Sequence, residues 1–166
     1  MIYLIGSLRN PKVPKLAEFL RSWGGFVVFD DWYAAGPEAD DYWQKYEQAR
    51  GHDLHRALQG SAANHVFTYD RSHLDRCTVA VMLLPAGKSG HLEFGYMIGQ
   101  GKPGFILLDK EPQRFDVMYR FAQKVCRDRN ELVLALDNAD LAFGKRTQRE
   151  IECISAVFEE NSCRKV

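Results

Sequence analysis

The chain has no surplus of charge of either sign: Lys plus Arg and Asp plus Glu both number 22 in 166 residues, so its formal net charge is zero. A protein that grips a nucleic-acid polymer usually carries a basic excess or a Lys/Arg stripe. Neither is present, and any link to nucleic acid points to monomers, not polymer. Zero net charge also removes long-range repulsion between copies, which permits self-association. No C-x-x-C pair occurs among Cys77, Cys126, Cys153 and Cys163. The four read as reduced thiols of a cytoplasmic protein, not as a disulfide framework. Long apolar runs are also missing, and the chain opens directly into Ile2-Tyr3-Leu4-Ile5, so neither a membrane span nor secretion is expected. No repeat, linker or low-complexity tract divides the chain. Its length suits a single domain, 1–166, that buries roughly two thirds of its unfolded surface and needs no metal or disulfide staple.

What is present is an alternation of short apolar runs with helical patterns. Met1 to Ile5 reads as a buried strand ended by Gly6-Ser7, and Asn10-Pro11 then leads into a helix with Val13, Leu16, Ala17 and Leu20 on one face. Gly24-Gly25 precedes a second strand, Phe26 to Phe29. From Asp41 to Arg76 the pattern is helical in pieces, broken at Gly51 and Gly60, with Asp40 or Asp41 expected as a cap. Thr78 to Leu84 and Phe105 to Leu108 give the third and fourth strands. A helix is expected over 114–125, a fifth strand over Leu132–Leu136 and a closing amphipathic helix over 139–160. This order implies an α/β doubly wound, flavodoxin- or Rossmann-like sandwich around a mostly parallel five-stranded sheet.

The most informative stretch runs from Leu83 through Gly87-Lys88-Ser89-Gly90-His91-Leu92-Glu93-Phe94-Gly95-Tyr96 to Gly101-Lys102-Pro103. It reads as a strand, a Gly-rich turn and a helix capped by Ser89, with Gly95 and Gly99 letting that helix lie close to the sheet. Ligands of open α/β sheets bind beyond the strand ends, beside helix N-termini. Glu93, one turn into the helix, is therefore the first candidate for chemistry, against the plainer role of a surface Glu favoured by the helix dipole. Gly6, Ser7 and Arg9 form either an anion seat or an ordinary tight turn. Asp31 and Trp32 follow the second strand, where an indole either walls a ring-binding site or covers the sheet edge. Asp70 lies eight residues ahead of the third strand, over the same sheet edge or on a solvated helix face. The acidic run from Asp30 to Asp41 matches no metal loop, and His52 and His55 lack a third ligand, so no metal or other cofactor is expected.

Ile2-Tyr3-Leu4-Ile5-Gly6-Ser7-Leu8-Arg9, the placement of Asp70 and the run Gly87 to Tyr96 together resemble the nucleoside 2-deoxyribosyltransferase family, whose relatives include N-glycosidases of nucleoside 5′-monophosphates. The resemblance spans about Met1 to Leu108, with a weaker continuation through Asp116-Val117-Met118-Tyr119. It implies a small-molecule nucleoside or nucleotide substrate, with Glu93 as nucleophile at C1′, Tyr3 orienting it and Asp70 positioning sugar or base. It further implies that Gly6, Ser7, Arg9 and Ser89 hold a 5′-phosphate where one is present. A neighbouring subunit would complete the sugar site through Asp116 and Met118, so a homo-oligomer is implied. One departure stands out: the transferases carry an Asp that helps handle the leaving base where this chain has Gly87. His91 is a substitute proton donor or, structurally, a hydrogen-bond donor to the turn. Transferase, hydrolase and non-catalytic nucleotide-binding module all remain open at this point.

Overall fold

The computed structural model describes residues 1–111 and 116–139. Five strands, β1 (Ile2–Ile5), β2 (Val28–Phe29), β3 (Val79–Leu83), β4 (Gly104–Leu107) and β5 (Lys124–Cys126), form one sheet in the order β2-β1-β3-β4-β5, every pair parallel. Around it lie α1 (Lys12–Ser22), α2 (Ala39–Ala49), the single-turn α3 (Leu54–Leu58), α4 (Ser61–Arg76), α5 (Lys88–Gly99) and α6 (Arg129–Asn138). The fold is thus a doubly wound α/β sandwich. Strand order reverses between β1 and β3, which places the crevice typical of such sheets there.

Side-chain alternation along the strands divides the interior in two. Ile2 and Leu4, Val79, Val81 and Leu83, and Phe105 and Leu107 join Val13, Leu16, Ala17 and Leu20 of α1 and Leu132, Val133 and Leu136 of α6. Tyr3 and Ile5, Phe29, Ala80 and Met82, and Ile106 face the other way, onto Leu74 of α4, Cys77 beyond it, and Phe94 and Met97 of α5. Continuous apolar strands buried on both faces are what a parallel sheet requires.

The C-terminal third departs from the sequence reading. Residues 117–121 form a 3₁₀ turn, not part of a long helix, and Lys124–Cys126 supplies the fifth strand. Leu132–Leu136, expected as that strand, lies inside α6. Asp128 caps α6 by accepting from the Glu131 amide at 2.8 Å, while the Glu131 carboxylate accepts from the Arg127 amide at 2.8 Å. That reciprocal pairing commits the segment to helix despite its strand-like composition. The helix expected over 139–160 falls outside the described residues apart from its first position. Asp40 and Asp41 do not cap α2; Glu38 holds its capping position, without a side-chain cap.

Candidate active site

The loop after β1 and the start of α5 meet at the β1/β3 crevice because two glycines allow it. A Cβ on Gly6 would stand 2.6 Å from Val13 Cγ2, and one on Gly90 would stand 2.9 Å from Ile5 Cγ2 and 3.7 Å from the Gly6 carbonyl oxygen. Gly90, not Gly95 or Gly99, therefore sets the close approach of the helix to the sheet; a Cβ on either of the latter meets nothing within 4 Å. Ser89 is not the cap of α5. Gly87 holds the capping position, and the His91 ring donates from Nδ1 to the Gly87 carbonyl at 2.8 Å. Ser89 is exposed in the first turn, and the space beside Gly87 is open.

Beneath this entrance Tyr3, Asp70 and Glu93 converge from β1, α4 and α5. Tyr3 is buried to 1% exposure, and its phenol is pushed well above its ordinary value by burial, then by the nearby charges of Glu93 and Asp70. Half-buried Glu93 is raised to about 7, first by desolvation and second by repulsion from Asp70. Desolvation also raises Asp70, with His73 acting in the opposite direction. Glu93 is thus the carboxylate that the buried site and the charge of Asp70 keep protonated up to about 7. Above that pH its ionised form is available as a nucleophile.

An aromatic group that the sequence reading did not single out supports this cluster. The His73 ring stacks on Phe29 at 3.9 Å and 14°, Tyr3 lies 5.1 Å from Phe29, and Tyr69 lies 4.5 Å from His73. The available signal was His73 itself, three residues after Asp70 and so on the same helix face. The two helices that carry the carboxylates are tied near their C-terminal ends. Tyr96 of α5 and Gln100 at its C-terminal cap donate to the Asp75 carboxylate at 2.6 and 2.9 Å, and Lys102 donates to the Leu74 and Asp75 carbonyls at 2.6 and 3.0 Å.

Other predicted positions are distributed around the entrance. Ser7 Oγ accepts from the Arg9 amide at 3.2 Å, and the Arg9 guanidinium pairs with Asp41 of α2 at 2.8 Å, both side chains well exposed. Trp32 donates from Nε1 to the Leu4 carbonyl at 2.8 Å, with its ring beside Gly6, so it covers the end of β1. Asp31 is exposed at the start of the 3₁₀ turn Asp31–Ala35. Asp116 accepts from the Met118 amide at 2.9 Å, and both residues are on the surface; Tyr119, not either of these, turns inward and stacks over His91 at 6.3 Å. His52, set aside as a metal ligand, is instead held 2.5 Å from the buried Glu47 carboxylate. A separate cavity of about 320 Å³, lined by Lys12, Phe19, Leu83, Leu107 and Arg129 among others, opens on the α1/α6 side of the sheet.

The fold and this site define a doubly wound α/β protein with a paired-carboxylate centre at its topological switch point. Comparison with family models, curated proteins and solved structures finds no match.

Proposed function

We propose that the protein is an enzyme that cleaves or exchanges the N-glycosidic bond of a 2′-deoxynucleoside through a covalent glycosyl–Glu93 intermediate, as the resemblance to nucleoside 2-deoxyribosyltransferases implies. The observation that carries this reading is the meeting of Glu93, Asp70 and Tyr3, distant in sequence, in one partly desolvated cluster. Ionised Glu93 attacks C1′, and the electron pair of the C1′–N bond leaves with the base, which takes a proton as it departs. A second base or a water then attacks C1′ from the opposite side and releases the Glu93 carboxylate with net retention. Tyr3 has no face open to water and its phenol feels the Glu93 charge; orienting that carboxylate is the role the resemblance implies for it.

The Arg9–Asp41 pair supports a neutral nucleoside as substrate. A dianionic 5′-phosphate at this entrance would have to displace Asp41 from Arg9 and lie near Glu38 and Asp40 as well. The second reading is a nucleoside 5′-monophosphate N-glycosidase, favoured by the exposed Arg9 guanidinium beside Ser7. A module that binds nucleotides without turning them over is the third. Incubation with deoxynucleosides and their monophosphates, with and without a free acceptor base, followed by chromatography, separates them. A swapped nucleoside means transferase, free base without acceptor means hydrolase, and binding without turnover means the module. Glu93→Ala that turns over at the wild-type rate removes the nucleophile assignment.

A homo-oligomer with shared sites belongs to the same proposal. Leu92, Val117, Met118 and Phe121 are large apolar side chains left exposed, between 57% and 76%, on α5 and the 3₁₀ turn beside the His91–Tyr119 contact. Sedimentation of the purified protein reads the subunit count directly.

A further inference from the structure

We propose that the cavity on the α1/α6 side of the sheet is a second binding site, for a small aromatic phosphomonoester. It is independent of the glycosidic reading above and lies on the face opposite the acid cluster.

The cavity, of about 320 Å³, opens at the carboxyl ends of β3 and β4, the edge at which open α/β sheets bind ligands. Leu83 and Leu107, the last residues of those strands, form its floor with Leu16 and Phe19 of α1. All four belong to the apolar core and are 6% exposed or less, so the floor is held in place.

The rim has the opposite character. Lys12 at the start of α1, and Arg127 and Arg129 on either side of the α6 cap, supply three cations against the two acids Asp109 and Asp128. Both acids already have partners: Asp109 pairs with Lys12, and Asp128 accepts from the Glu131 amide. Glu131 in turn pairs with Lys124 and accepts from the Arg127 amide. Among the described residues neither guanidinium has a salt-bridge partner. Arg129 is nonetheless anchored, because its guanidinium carbon lies over the Phe19 ring, 5.5 Å from the centroid. A cation placed in advance gives up little freedom when an anion arrives.

Floor and rim together select the ligand. A guanidinium offers paired N–H groups that match a phosphate, and two of them beside the first amides of α6, which have no partner within the helix, favour a dianion. An inorganic ion would leave the leucine floor wet, and a neutral ring would leave the cations unmatched. The volume falls at the lower end of ligand clefts, roughly 300–1,000 Å³, which suits one ring system and a phosphate.

The test titrates the whole chain with phenyl phosphate and, separately, with its two halves, inorganic phosphate and phenol, by isothermal calorimetry. Arg127→Gln, Arg129→Gln and the double variant remove the cations from exposed or half-buried positions, and circular dichroism confirms that each folds. Arg9→Gln is the control at the entrance to the acid cluster. Phenyl phosphate is expected to bind at least about tenfold tighter than either half, to weaken about tenfold or more in the double variant, and to be unaffected by Arg9→Gln. It should also raise the melting temperature of the wild type but not of the double variant. Weakening that follows Arg9 and not Arg127 and Arg129 moves the ligand to the entrance and overturns this site. Inorganic phosphate that binds as tightly as phenyl phosphate overturns the aromatic half of the recognition, and no heat at millimolar concentration overturns the whole. None of these readouts involves turnover, so the Glu93→Ala assay tests the glycosidic reading separately.

Discussion

The two faces of the sheet are built from alternate residues of the same strands, yet they differ in kind. Towards α1 and α6 the strands present Ile2, Leu4, Val81, Leu83 and Leu107, with no carboxylate or phenol among the strand residues of that core. Towards α4 and α5 they present Tyr3 and Met82, and the helices answer with Asp70, His73 and Glu93. A phenol and two carboxylates held away from water lower stability unless paired. One face therefore supplies the cohesion that lets the other hold groups in an unfavourable state of charge.

The sharpest way to break this contrast is to remove the acid itself. Glu93→Ala should lower turnover by at least about a thousandfold, because no other group can form the ester, while the melting temperature stays level or rises. Product chromatography and a thermal melt on one preparation read both. Leu4→Ala, on the opposite face at 0% exposure, should do the reverse. It should cost about 3 kcal/mol in urea unfolding, with kcat of the remaining folded protein little changed.

The third prediction concerns pH. Glu93 binds its proton up to about 7 in the folded chain but only to 4.5 when unfolded. Between those values the folded state holds more protons, so the wild type loses stability as pH rises from 4.5 to 7. Glu93→Gln removes that loss. It should match the wild type near pH 4 and exceed it by on the order of 2 kcal/mol at pH 8. A gain that is the same at both pH values would show that the carboxylate is not strained. In the wild type, turnover should climb through pH 7 as the nucleophile ionises.

The smallest effect belongs to the rim. Asp41→Asn frees Arg9, and because the pair is exposed, unfolding free energy should change by less than about 1 kcal/mol. The ratio of monophosphate to nucleoside turnover should nevertheless rise a few-fold. A ratio that stays fixed would mean that Arg9 does not meet the 5′ position.

Much of this was legible from sequence, and the exceptions have physical causes. β1, β3 and β4 are uninterrupted apolar runs, and α1 and α4 carry clear breaks at their ends, so local pattern and tertiary need agree. β5 is only Lys-Val-Cys, with a lysine in it, and offers no pattern to read. Leu132–Leu136 is apolar enough for a strand, and what overrides this is the capping exchange of Asp128 and Glu131, a D-x-x-E spacing at the start of the segment. At the site, Glu93 and Asp70 stand out by their places near the strand ends, whereas Tyr3 is marked only by the family resemblance. The Arg9–Asp41 pair joins residues 32 apart through a surface helix and has no sequence signal. Gly90 was passed over for Gly95 and Gly99, because the closeness of helix to sheet depends on which way the helix is turned, and periodicity does not give that.

The clasp around Asp75 has a mechanical consequence. With Tyr96, Gln100 and Lys102 all gripping the tail of α4, the two helices behave like the arms of a clothes peg sprung at one end. The grip thereby fixes the pitch at which Asp70 of one arm faces Glu93 of the other.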